Sequence, residues 1–231
     1  KHAGEAAIVP GLGGCGAGVW LLACDVRHFF DSTPHAVAKA AVAKRVYDSE
    51  TVRHNARIID SFGGERGIGL GSQVSQLNQL AVLDTLDHRI KETHRIRHYL
   101  RYMDDLALIH SDREKLEQVL ADIRTQMAAL GLELNSKTRI YPLRQGVMWL
   151  QWRFVLTDRG KVVRKLNDKK VGQERRKLRK MRKRVEDGRM TMAQVRDHYR
   201  CWKANAQRGN TRNLLKQMDR TYTDIMKEEP P

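Results

Sequence analysis

Apolar positions change period several times along this chain, and each change predicts an element. Val19-Trp20-Leu21-Leu22-Ala23-Cys24 is a continuous apolar run and predicts a buried strand that ends on Asp25. Helical spacing follows over Ala36 to Val46, with Ser32 or Thr33 as the cap and Pro34 in the first turn. A second helix reads from Glu50 to Phe62, where Gly63-Gly64 stops it. The glycine-spaced run Gly67 to Gly71 opens a helix through Leu77, Leu80, Leu83 and Leu86 to about Lys91. Residues 98–101 and 106–110 are rich in strand formers and predict a β-hairpin, with Tyr102-Met103-Asp104-Asp105 at its turn. Ser111-Asp112-Arg113-Glu114 has the pattern of a capping box, and the stripe Leu116, Val119, Leu120, Ile123, Met127, Leu130 predicts a core-facing helix that Gly131 ends. Residues 132–138 return as loop and short strand. Residues 146–154 and Val162-Val163 predict hairpin arms around Gly160, and from Asn167 onward the pattern is helical over 172–184, 191–203 and 211–226. The fold class is α+β: an antiparallel sheet packed on helices, then a helical C-terminal part.

Charge changes the picture along this frame. The 231 residues carry 43 Lys and Arg against 27 Asp and Glu, a formal net charge of +16, which favours a polyanionic partner. The excess is local: residues 161–185 hold thirteen basic residues and two acids, whereas 102–122 are rich in Asp and Glu. Arg175, Arg176, Lys177, Arg179, Lys180, Lys183 and Arg184 form either a solvated helix face or a phosphate-binding one, and phosphate would relieve their mutual repulsion. A membrane-surface role would need an apolar face there, and only Val171, Leu178 and Met181 are offered. Cys15, Cys24 and Cys201 are odd in number and lack Cys-x-x-Cys spacing, which argues against a disulfide framework or zinc ribbon and fits a reducing, cytoplasmic compartment. No signal peptide or membrane-spanning run is visible in the sequence. The glycine-rich residues 1–18 fit no nucleotide-binding fingerprint and read as a flexible remnant or junction.

The chemistry lies in the acids. Two adjacent ionised carboxylates at Asp104-Asp105 need a counter-charge, which Mg²⁺ supplies through hard oxygen ligands shared with substrate phosphates; an acidic, solvated turn is the plain alternative. Asp25 ends a buried strand, where a charge must be paired or bind metal.

Four stretches then stand in one order: Asp25-x-x-x-Phe29-Phe30, Leu70-Gly71-x-x-x-Ser75-Gln76, Tyr102-Met103-Asp104-Asp105 and Leu130-Gly131-Leu132-x-Leu134-Asn135-x-Lys137-Thr138. This order resembles the successive palm motifs of reverse transcriptases, and Gly146-Val147-Met148-Trp149-Leu150 resembles the primer-grip hairpin that follows them. The resemblance implies a palm over residues 19–160 and a basic helical thumb over 161–231. It implies RNA-directed DNA synthesis with two Mg²⁺ ions, Mn²⁺ being able to substitute. Asp25, Asp104 and Asp105 would be catalytic metal ligands, with the Val26 backbone carbonyl beside them. Phe30, Leu70, Gly71, Gln76 and Lys137 would border the nucleotide, Lys137 as a catalytic cation at the leaving pyrophosphate. Gly146, Val147, Trp149 and Leu150 would grip the primer. RNA template, DNA or RNA primer and dNTPs are the implied partners.

Leu70 and Ser75-Gln76 stand where many members of the family carry Gln and Ser-Pro. Both resemble the enzymes of diversity-generating retroelements, as does the stretch Cys201 to Ala206 with Asn210-Thr211. That type implies low fidelity, a bacterial or phage origin and a small basic accessory protein; retron, group II intron-like and phage-defence enzymes are the alternatives. Gly69 replaces a usual Pro, which implies a looser loop, and Gln151 replaces a usual Gly. Only 24 residues precede Asp25, so the fingers that reverse transcriptases place there are expected to be largely absent from this sequence: either it is partial, or the fingers come from elsewhere, or the chain is inactive alone. Two rivals use the same frame differently: a maturase-like nucleic-acid scaffold without synthesis, and a nucleotide cyclase, which would need neither Phe30 nor the basic helices.

Overall fold

The computed structural model describes residues 18–157 and 159–231; the Gly-rich start, apart from Gly18, lies outside the described residues. The chain forms two compact units that divide after Leu143. The first unit is built on a four-stranded antiparallel sheet: β1 (Trp20–Asp25), β2 (His98–Tyr102), β3 (Asp105–His110) and β4 (Arg139–Pro142), in the order β2-β3-β1-β4. Its helices are a single turn α1 (Phe29–Ser32), α2 (His35–Ala43), α3 (Ser49–Asp60), α4 (Gln73–Val82), α5 (Asp84–His88) and α6 (Arg113–Ala129). Leu22, Cys24, Leu106 and Leu108 from the sheet meet Val82, Leu86, Leu116, Val119, Ile123 and Met127 from the helices in one core. A fully buried Leu or Ile there contributes roughly 1.5–3 kcal/mol by transfer from water.

Several boundaries differ from the sequence pattern, for local reasons. Pro34, not Ser32 or Thr33, is the N-cap of α2 and makes no side-chain cap. The buried Thr33 hydroxyl instead donates to the Phe29 carbonyl at 2.6 Å and pairs with the Gln79 amide. Asp112, not Ser111, caps α6 by accepting the Lys115 N–H. The long helix expected through Lys91 breaks at Leu83 and ends in a π-helical turn, Arg89–Thr93. Asp122 on α6 fastens that turn by accepting from Arg89 Nε at 2.6 Å and pairing with His94 Nε2 at 2.7 Å. At Gly69 a Cβ would stand 2.4 Å from the Phe62 ring, which packs against the glycine.

The second unit carries a three-stranded antiparallel sheet, β5 (Val147–Trp149), β6 (Trp152–Leu156) and β7 (Val162–Leu166), then α7 (Asp168–Glu186), α8 (Met192–Ala206) and α9 (Arg212–Met226). The junction expected after Gly160 falls in the turn between β6 and β7. Val171, Leu178 and Met181 are buried in the core of this unit, with Tyr199 stacked on Tyr222. The apolar stripe of α7 is therefore consumed by packing and is not offered to a lipid surface.

The turn joining β5 to β6 is Leu150-Gln151, with φ of +46° and +75° between the paired Trp149 and Trp152. A two-residue hairpin of this kind favours Asn-Gly, since L side chains resist positive φ. Gln151→Gly should therefore stabilise this unit by about 1 kcal/mol. That is a rise of about 4–8 °C in its melting midpoint by circular dichroism, read as the shift of the transition that belongs to this unit.

Candidate active site

The site is made where β1 and β3 end together. Residues of the two strands pair one to one from Trp20↔His110 to Asp25↔Asp105, so the last pair of the ladder is a pair of acids. Cross-strand partners in an antiparallel ladder stand close enough to interact directly, and like charges there repel. Asp104 joins them from the hairpin turn. Tyr102 pairs with Asp105, leaving Met103-Asp104 as a two-residue turn, and Met103 adopts φ +54°. The Asp104 carbonyl accepts the Val26 N–H at 3.2 Å, tying the turn to the residue after Asp25. The period-2 pattern of residues 98–110 and the buried run 19–24 dictate this meeting.

Burial and the charge of Asp104 push the Asp25 carboxyl above the usual carboxylate range, and a hydrogen bond with the Asp104 carboxyl adds to this; Asn135 and Lys137 pull it back down. Asp105 is raised by burial first, then by the charges of Asp104 and Asp25. Among the described residues no group of three acidic, His or Cys side chains stands placed to hold a metal ion. The donors themselves, hard carboxylate oxygens, are nevertheless of the kind that divalent cations take. Asp25 and Asp105 are each pushed up by neighbouring acids, and that repulsion is what a cation would remove. Asp25, Asp104 and Asp105 are the side chains that would hold it. The Val26 side chain is buried in the core, so only its backbone could take part.

Asn135, to which the sequence alone gives no role, completes the floor. Its backbone N–H donates to the Asp25 carbonyl at 2.7 Å and its Nδ2 to Asp25 Oδ2 at 3.1 Å. Its Oδ1 accepts the Lys137 N–H at 3.1 Å, which places Lys137 where its charge acts on Asp25. An antiparallel bridge between Val26 and Leu134 holds this loop against the strand end.

The two phenylalanines separate. Phe29 is buried in the core, whereas Phe30 is half-exposed and meets it edge to face with centroids 6.2 Å apart. The Phe30 carbonyl accepts the Ile68 N–H at 2.9 Å, and Gln79 Nε2 donates to the Phe29 carbonyl at 3.2 Å. Phe30 is thereby keyed to the loop before α4. Leu70 is 74% exposed there, Gly71 takes φ +92° with open space around it, and Gln76 is exposed. No hydrogen bond or ion pair recorded among the described residues joins Leu70, Gly71 or Gln76 to the three acids.

In the second unit Gly146 is buried at φ +82°, and a Cβ there would lie 2.9 Å from the Phe154 carbonyl. Val147 and Trp149 are buried and Leu150 exposed. Arg176, Lys177, Arg179, Lys180, Lys183 and Arg184 are exposed along α7, and Arg175 is half-buried.

The family model described as reverse transcriptase (RNA-dependent DNA polymerase) matches residues 15–154. Among solved structures the chain is similar to the apo telomerase of Candida tropicalis, at 14% identity and a TM-score of 0.46, covering 59% of this chain and 31% of that one. The same telomerase truncated from its C-terminal domain gives 15% identity and a TM-score of 0.48, over 64% of this chain and 35% of that one. Telomerase from Candida albicans in complex with a TWJ fragment of telomeric RNA gives 14% and 0.45, over 64% and 30%. The chain spans about a third of the length of these telomerase chains. No curated protein matches it in sequence. The matched segment runs through every stretch that builds the acidic site, from β1 to the Lys137 loop, and takes in more than half of the chain: it belongs to the reverse transcriptase family.

Proposed function

We propose that the protein is an RNA-directed DNA polymerase that extends a DNA or RNA primer with dNTPs on an RNA template. The observation that carries this reading is the pairing of Asp25 with Asp105 at the end of the sheet, with Asp104 joining them from the turn. Two bound Mg²⁺ or Mn²⁺ ions would stabilise both the attacking 3′-oxygen and the leaving pyrophosphate oxygen. Asp25, Asp104 and Asp105 hold the carboxylate oxygens at one strand end, and Asn135 fixes the orientation of Asp25. Lys137 places a cation beside the same carboxylate, suited to neutralise or protonate the departing phosphate. The first unit is then the palm and the helices of the second the thumb. The hairpin of Gly146, Val147, Trp149 and Leu150 is assigned to the primer, and the exposed basic face of α7 to phosphates.

We assign Phe30 to exclusion of the ribose 2′-hydroxyl, because its neighbour Phe29 takes the core position and leaves the Phe30 ring half-exposed. Leu70, solvated and aliphatic, offers the incoming nucleotide no hydrogen bond, which supports a low-fidelity enzyme of the diversity-generating type. Retron, group II intron-like and phage-defence enzymes are the neighbouring alternatives. An accessory protein that delivers nucleic acid belongs to this reading, as does a bacterial or phage-encoded enzyme in a reducing cytoplasm. Cys24 and Cys201 are free thiols, and no helix among the described residues is long and apolar enough to cross a membrane.

Primer extension on an RNA template with dNTPs and Mg²⁺ tests the core of the reading. Extension is the expected result; hybrid binding without extension would favour a nucleic-acid scaffold instead. In the same assay Phe30→Ala should reduce the preference for dNTPs over NTPs by roughly tenfold or more, and Leu70→Gln should lower the error rate. Unchanged sugar selectivity would remove the first assignment, and equal error rates the second.

A further inference from the structure

Arg101 immediately precedes the acidic hairpin turn, and its guanidinium reaches three elements at once. Its side chain is 11% exposed. Nε and Nη2 grip both oxygens of Asp87 on α5, at 2.6–2.9 Å. Asp87 also accepts the Tyr99 hydroxyl at 2.5 Å, so its carboxylate is held from two sides. Arg101 Nη2 donates further to the Leu80 carbonyl, in the last turn of α4, at 3.2 Å. Nη1 is thereby aimed back at the turn, where it donates to the Met103 carbonyl at 3.2 Å.

That last contact matters for the acid beside it. The Met103 carbonyl and the Asp104 N–H share one rigid peptide plane, so fixing one fixes the other. Met103 sits at φ +54°, a conformation that residues with a side chain resist and abandon unless held. On its other side Asp104 is held through its own carbonyl by the Val26 N–H. The peptides flanking Asp104 are thus pinned from opposite directions.

We propose that Arg101, locked by Asp87, is a positioning residue that fixes the Met103–Asp104 peptide and so aims the Asp104 carboxylate toward Asp25 and Asp105. The proposal rests on the reading of those three acids as metal ligands. It requires a planar fork: a lysine ammonium has no comparable geometry for one carboxylate and two carbonyls.

The test compares wild type, Arg101→Lys, Asp87→Asn, the double variant and Asp104→Asn as full-length chains. Mn²⁺ binding is read by electron paramagnetic resonance without nucleotide. Primer extension gives kcat and KM for dNTP. RNA–DNA hybrid affinity and thermal melting report on the rest of the molecule. Arg101→Lys and Asp87→Asn should each weaken Mn²⁺ binding and kcat by about 10–100-fold, the range for a residue that orients a metal ligand. Hybrid affinity and KM should stay within a few-fold of wild type, and the double variant should be no worse than the worse single one. Wild-type Mn²⁺ affinity in Arg101→Lys would overturn the proposal. So would a kcat loss that merely follows a lower melting point, or failure of both single variants to fold, since Arg101 would then brace the fold and not the site. If Asp104→Asn itself binds Mn²⁺ and extends primer like wild type, the metal reading fails. If Asp104→Asn loses both while Arg101→Lys loses neither, only the positioning role fails.

Discussion

Asp104→Asn should abolish primer extension, by at least roughly a thousandfold or about 4 kcal/mol of barrier, while the protein melts no lower than wild type. The first half follows from losing a carboxylate oxygen where negative charge must gather around cations. The second half follows from the site itself. Asp25 and Asp105 both titrate above their ordinary range, through burial and the charge of Asp104. A carboxyl raised in the folded state favours folding below its unfolded pKa of about 3.9, and that benefit is lost as pH rises through the folded value. Near neutral pH these acids therefore oppose folding. Removing the Asp104 charge relieves both neighbours, so the melting midpoint should rise at pH 7, and the difference from wild type should shrink as the pH falls and Asp25 and Asp105 take up protons. Melting curves at pH 7 and at lower pH, beside the extension assay, check this. A variant that is inactive and also less stable at pH 7 would show that Asp104 holds the turn together and that its loss of activity is a folding effect.

Much of this site is legible in the sequence because it rests on local pattern. The alternation of residues 98–110 predicts the hairpin, and the apolar run 19–24 predicts the strand that delivers Asp25. What stays hidden depends on partners far along the chain. Strand β4 reads poorly because Pro142 weakens the pattern, yet an edge strand tolerates a proline, and β4 lies at the edge beside β1. The break at Leu83 and the π-helical turn follow helical spacing in sequence; the anchors of that turn, Asp122 to Arg89 and His94, come from another helix. Asn135 and Arg101 look like ordinary polar residues until Asp25 and Asp87 are placed beside them. Thr33 does not cap α2 because a buried partner, Gln79, competes for its hydroxyl.

Gly209→Ala should destabilise the second unit by about 3 kcal/mol, near the upper end of what overpacking costs. Gly209 lies in the connection between α8 and α9, and a Cβ there would stand 2.4 Å from the Trp152 ring and 2.8 Å from the Arg164 carbonyl. Neither neighbour can step aside. The Trp152 ring lies under the Arg164 guanidinium, 4.8 Å from its centroid, and Trp152 is paired into the sheet on both sides. The Arg164 carbonyl accepts the Asn210 N–H at 2.8 Å, while the Arg164 N–H donates to Asn210 Oδ1 at 2.9 Å. Asn210 thus continues the ladder of β7 as a strand would, and it can do so only because the residue before it has no side chain. Gly172 on α7 offers the opposite case, since an added Cβ would find only the Arg176 guanidinium, at an ordinary 3.8 Å. Gly172→Ala should stabilise by about 0.5–1 kcal/mol, the usual gain of alanine within a helix. Hydrogen exchange read separately on β1–β3 and on α8–α9 is the suitable measurement, since a chain of two units need not unfold in one step. Protection should fall in α8 and α9 for Gly209→Ala, rise in α7 for Gly172→Ala, and stay constant in β1–β3 for both. Loss of protection in β1–β3 as well would overturn the expectation that the effect stays within the second unit.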